Sequence, residues 1–132
     1  MTIKELGKKY KLDGKVDVWK CHDNWILTHD AVTKIAHIDN IKLSKVESIY
    51  QSETSCRFLI TMVKEDEDGS VVDSVTSVGE ASNKNSKNNY FAAMAEKRGI
   101  DRCVLKLINA YQYGIYSEVE ADDFKKQEVK WK

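Results

Sequence analysis

Three cationic side chains, Arg98, Arg102 and Lys106, stand four residues apart in the stretch YFAAMAEKRGIDRCVLKLINAYQY, residues 90–113. That spacing lines them up along one side of a helix. A row of fixed positive charge at helical pitch can track phosphates. Lys84 and Lys87 lie in the loop leading into this run, and Arg57 and Lys64 lie on a strand upstream. Asparagines in the loop offer donors to phosphate oxygens, and a helix start adds backbone N–H groups. The same stripe also suits an ordinary solvated helix face. Tyr90, Phe91 and Tyr116 lie along the path and can either stack on bases or pack in the core. The helical phase places Phe91 on the basic side.

Catalytic chemistry finds little support. The chain has no Gly-rich phosphate loop, no H-E-x-x-H pair and no nucleophile elbow. His22, His29 and His37 have aspartates nearby, Asp23, Asp30 and Asp39. Such pairs arise readily by chance in a charged chain, so no metal or other cofactor is expected. Glu65, Asp66, Glu67 and Asp68 run into Gly69 and read as a solvated hairpin tip, too loose to hold a catalytic metal. Cys21, Cys56 and Cys103 are odd in number and lack C-x-x-C spacing, which implies reduced, buried thiols.

At 132 residues the chain suits a single domain, residues 1–132, with a core over about 15–124 and looser ends. Its 21 basic and 21 acidic residues cancel. Binding to nucleic acid must therefore come from a local patch. No stretch is apolar enough to span a bilayer and no secretory leader opens the chain, so no membrane role is expected and the cytoplasm is the default.

The elements that must position these residues follow from periodicity. Ala93, Ile100, Val104, Leu107, Ile108 and Tyr111 recur at helical spacing and predict one long helix with a buried face. Glu96 and Lys97 fall nearer that face. Asn85, Ser86, Asn88 and Asn89 offer N-caps, and Gly114 is placed to close the run as C′. Gly99 costs about 1 kcal/mol relative to Ala within a helix, and suggests either close approach by another backbone or a tolerated weak spot.

Upstream, residues 1–12 form a lysine-rich, helix-capable arm. Residues 16–21 and 25–28 read as a hairpin with the connection His22-Asp23-Asn24. A short helix over about 30–37 carries Ala31, Val32, Ile35 and Ala36, with Thr28 or Asp30 as cap. The period then becomes two. Residues 41–50, with a bulge between Leu43 and Val46, 56–63 and 71–78 form an antiparallel meander. Residues 79–89 read as a loop. Ser117 and Glu120 have capping-box spacing and open a short acidic helix, followed by a basic tail. The order β-β-α-β-β-β-α makes this an α+β protein, with the long helix on one face of an antiparallel sheet. Oligomerisation or the first helix must cover the other face.

The stretch SVGEASNKNSKNNYFAAMAEKRGIDRCVLKL, followed by GIYSEVEADDF, resembles small phage-type Rad-fifty-two-like single-strand annealing proteins. The likeness is densest over residues 78–124, and the meander upstream fits that group's β-β-β-α core. It implies ATP-independent binding of single-stranded DNA, annealing of complementary strands in recombination, and assembly into rings or other homo-oligomers. Basic residues on the helix and neighbouring strands line the DNA groove in that group. This points to Arg98, Arg102, Lys106 and the loop lysines here. The zero net charge, the absence of a long C-terminal region and Gly99 in place of an Ala-like residue depart from the pattern. The resemblance leads to the expectation that alanine at Arg98 and Arg102 weakens single-strand binding and leaves the fold intact.

Two other readings compete. Residues from 30 onward run α-β-β-β-α with lysines before the last helix, which is also the order of a double-stranded RNA-binding module. Alternatively, the stripe is only solvated and the chain is a non-catalytic protein–protein interaction domain, which zero net charge favours.

Overall fold

The structure, a computed structural model, describes residues 2–84 and 91–120. Helix α1, Ile3–Tyr10, starts at Thr2, whose hydroxyl accepts from the Glu5 N–H, and ends at Lys11 in the left-handed region. The lysine-rich arm is therefore docked. Leu6 and Tyr10 are buried, and the Tyr10 hydroxyl donates to Asp39 at 2.6 Å. The core reaches back well beyond residue 15 because this short helix turns its two largest apolar side chains inward.

Strands β1, Val18–Cys21, and β2, Asn24–Leu27, form a hairpin closed by His22 and Asp23. The connection is one residue shorter than the sequence reading, since Asn24 pairs with Cys21, and His22 takes a positive φ of 55°. Helix α2, His29–Ile38, has Thr28 as its N-cap, accepting from Ala31 N–H, and buries Ala31, Val32 and Ile35.

Strands β3, Ile41–Gln51, β4, Ser55–Glu65, and β5, Val71–Ser82, make the antiparallel meander, in the order β3-β4-β5. Register shifts between Leu43 and Lys45 and between Ser48 and Tyr50 put a bulge where the alternation slips, and add a second. β5 runs four residues beyond the sequence reading. Gly79 to Ser82 pair with β4 as strand rather than forming a loop. Their polar composition misleads because this edge is covered by charged side chains of the next helix.

Helix α3, Phe91–Leu107, lies across β4 and β5. Its C-terminus is set by Asn109, which has a φ of 57°, while the Ala110 N–H returns to the Leu105 carbonyl. Gly114 instead ends a separate 3-10 turn, Tyr111–Tyr113. The chain then forms strand β6, Ile115–Ser117, parallel to β2, and a 3-10 turn, Glu118–Glu120. Of the expected acidic helix, Ser117 instead closes the strand and residues 118–120 form the 3-10 turn, while residues 121–124 lie outside the described residues. The Ser117–Glu120 spacing is still used, because the Ser117 N–H donates to the Glu120 carboxylate at 2.7 Å. The caps proposed at Asn85, Ser86, Asn88 and Asn89 and the tail from Lys125 lie outside the described residues.

The protein is α+β, with a long helix packed on one face of a three-stranded antiparallel sheet and a smaller β1-β2-β6 sheet beside it. α2 packs against α3 and β3, so the opposite face keeps Val72 and Val78 exposed. No described helix is long and apolar enough to cross a membrane.

Candidate nucleic-acid interface

Helix α3 meets the sheet through small residues. A Cβ added at Gly99 would overlap Ile60 and lie 3.2 Å from the Gly79 nitrogen. One added at Gly79 would overlap the Ala95 carbonyl and lie 2.6 Å from the Gly99 nitrogen. Gly99 is there because strand and helix backbones touch. Ala95 and Cys103, one turn to either side, are fully buried, and the Cys103 thiol donates to the Ile60 carbonyl at 3.3 Å. Burial pushes the Cys103 thiol up from its ordinary value.

This close approach rotates the helix away from the phase that its larger apolar residues suggest. Ala93, Glu96 and Lys97 are exposed. Arg98, expected on the basic outer side, is only 1% exposed. Its Nε donates to the Val119 carbonyl at 2.5 Å and its Nη1 to the Glu80 carbonyl at 3.0 Å. Arg102 grips Glu80 with both terminal nitrogens, at 2.7 and 2.9 Å, and donates to the Val78 carbonyl at 2.7 Å. That carboxylate raises the guanidinium pKa further, with Glu120 adding to it. The Lys106 ammonium donates to the Ser77 hydroxyl at 2.6 Å.

The predicted phosphate-tracking stripe is therefore a row of ties to β5. An edge strand has carbonyls with no strand to pair with, and these guanidiniums take two of them. Removing Arg98 and Arg102 would strip partners from those carbonyls, so a double alanine variant cannot leave the fold untouched. Phe91, placed by phase on the basic side, packs half-buried against the cluster of Cys56, Ala81 and Ala95. Tyr116 is half-buried beside Tyr111, with ring centroids 5.5 Å apart.

The remaining cations separate. Lys64 lies near Asp39, at 3.7 Å, close to the start of β3. Arg57 and Lys84 gather at the other end of the sheet, where β3 turns into β4 and β5 ends. Arg57 is exposed and pairs across the strands with Tyr50, its guanidinium carbon 5.8 Å from the ring centroid. Tyr50 is 51% exposed. Lys84 is exposed just past β5. Lys87 and Tyr90 lie outside the described residues. The sequence reading missed Tyr50, because its partnership with Arg57 depends on the length of a turn and on a bulge.

A second polar cluster joins the smaller sheet to α3. Asp101 is fully buried and accepts from Ser117 Oγ at 2.5 Å, and it lies 2.8 Å from His29 Nδ1. Hydrogen bonding to Asp101 raises the His29 pKa, against a smaller opposing effect of burial. Burial raises Asp101, with His29 and Ser117 pulling the other way. The serine faces the carboxylate rather than the imidazole, so no activated nucleophile is formed. Among the described residues no group of three or more histidine, cysteine or carboxylate side chains could hold a metal ion. Compared with protein-family models, curated proteins and solved structures, the chain matches none.

Proposed function

We propose that the protein binds single-stranded DNA and anneals complementary strands without ATP or catalysis, acting as a homo-oligomer in phage-type recombination in the cytoplasm. The observation that carries this reading is the exposed Tyr50–Arg57 pair, with Lys84 exposed at the same end of the sheet. A half-exposed ring gives a base a stacking surface, a guanidinium next to it adds attraction to base faces and phosphates, and neither demands a particular sequence. Holding the backbone in this way leaves base edges free for a second strand. The β-β-β-α unit of β3, β4, β5 and α3 agrees with the element order the resemblance implies.

The test is fluorescence polarisation with labelled single-stranded DNA, duplex DNA and duplex RNA, at low and physiological salt. Preference for single strands that weakens with salt is expected, and Tyr50→Ala with Arg57→Ala should cost roughly tenfold or more in affinity. No binding under any condition would overturn the proposal and leave a protein-interaction domain. One observation favours a second reading. α2 packs against α3 and β3, so the α2-β3-β4-β5-α3 order of a duplex-RNA module occurs as one packed unit. Preference for duplex RNA would select it.

A further inference from the structure

β3 is the other edge of the large sheet, and it is eleven residues long. Its apolar side chains are unusually open: Leu43 is 46% exposed, Val46 40% and Ile49 51%. Among the described residues no element pairs with its outer side. Long, exposed edges invite another strand.

The residues of this edge are self-complementary about Val46. Reading KLSKVESIY from Lys42, the sequence on one side of Val46 answers the sequence on the other. Set antiparallel to a second copy with Val46 at the centre, Lys45 stands opposite Glu47 and Glu47 opposite Lys45. Beyond this central run, Lys42 comes opposite Tyr50. The faces agree as well. Within one chain Lys45 pairs with Thr61, Glu47 with Leu59, Lys42 with Val63 and Tyr50 with Arg57, which puts all four on the side of the sheet away from α3. Val46 pairs with Ile60 and Leu43 with Met62, which puts them on the helix side. A two-fold axis perpendicular to the sheet preserves sides, so in the central run Lys45 meets Glu47 on one side and Val46 meets its own copy on the other. The register shifts flank the central Lys45–Val46–Glu47 run and leave it regular.

We infer that two copies of this chain pair through β3, antiparallel and centred on Val46, joining two three-stranded sheets into one. Lys45 and Glu47 of one chain already pair with each other, both solvent-accessible. The same two groups can exchange partners across the axis without exposing a new charge. The inference rests on the proposed function only in taking the protein to act as an oligomer. Its test uses no nucleic acid, so the β3 pairing can fail while single-strand binding stands, and single-strand binding can fail while the pairing stands.

The experiment is light scattering coupled to size exclusion, with sedimentation equilibrium on the full chain. The unmodified protein should be a dimer or an even multiple of one. Lys45→Glu alone and Glu47→Lys alone each place like charges opposite one another twice, and each should weaken pairing by roughly tenfold or more. Because both side chains are exposed, circular dichroism should show both variants folded. An equimolar mixture of the two single variants restores opposite charges at both positions and should recover the dimer, as should the double variant Lys45→Glu with Glu47→Lys. A monomeric unmodified protein would overturn the inference. So would single variants that assemble as well as the unmodified chain, or a mixture that stays monomeric.

Discussion

The two edges of the large sheet use the same residue types for opposite ends. Along β5, Arg98 and Arg102 reach from α3 to the carbonyls of Val78 and Glu80, and Arg102 also clasps the Glu80 carboxylate. Along β3, Lys45 and Glu47 sit in solvent among exposed aliphatics. One edge is sealed by its own chain and the other is left open. A lysine or arginine at regular spacing is thus no guide to a binding surface until its neighbours are known. At one edge charge substitutes for a missing strand, and at the other the proposed pairing would use it to choose a partner.

The sharpest way to break the comparison is at the sealed edge. Arg98→Ala removes a buried guanidinium and leaves two carbonyls short of a donor, so chemical denaturation should show a loss of about 4 kcal/mol. Arg98→Lys should not recover it, since one ammonium cannot copy the guanidinium fork. Gly79→Ala should cost about 3 kcal/mol, because its methyl would meet the helix backbone at Ala95 and Gly99 rather than a side chain that can turn aside.

A smaller, pH-dependent effect is expected where α3 meets the smaller sheet. Since His29 is raised above its ordinary 6.5 by Asp101, the folded protein holds that proton more tightly than the unfolded chain. The resulting stabilisation is complete below pH 6.5 and is lost as pH rises through the folded value. The gap between the unmodified protein and His29→Ala should be about 1.5 kcal/mol near pH 6 and should narrow on the alkaline side. A gap that widened with pH would refute the assignment. At the open edge, Glu47→Lys should change monomer stability by less than about 0.5 kcal/mol while altering assembly. A large stability loss there would erase the contrast between the edges.

Much of the fold could be read directly. The meander announced itself by alternation, and Thr28 was among the caps named for α2. Gly99 misfits the helix around it, which left backbone contact and a tolerated weak spot both open, and the contact with Gly79 decides for the first. The direction of the arginines could not be read, because small residues carry the sheet-facing side of α3 and leave little apolar signal. β6 spans three residues, too few for alternation to show. His29 and Asp101 are 72 positions apart, and Tyr50 meets Arg57 only through the register of a bulged hairpin. Local patterns specify elements, whereas the site depends on how those elements are laid together.

The parallel pairing of β2 with β6 matters for the order of events during synthesis. Trp25 pairs with Ile115, and Leu27 with Ser117. The β1–β2 hairpin therefore leaves the ribosome long before the strand that completes its sheet. Until then Ile26 and Leu27, both fully buried in the finished protein, lack that cover. Such long-range closure is slow and leaves sticky surface in the nascent chain. A truncated chain ending before Ile115 would carry that exposed surface permanently, and should be more prone to aggregation and degradation than its length alone suggests.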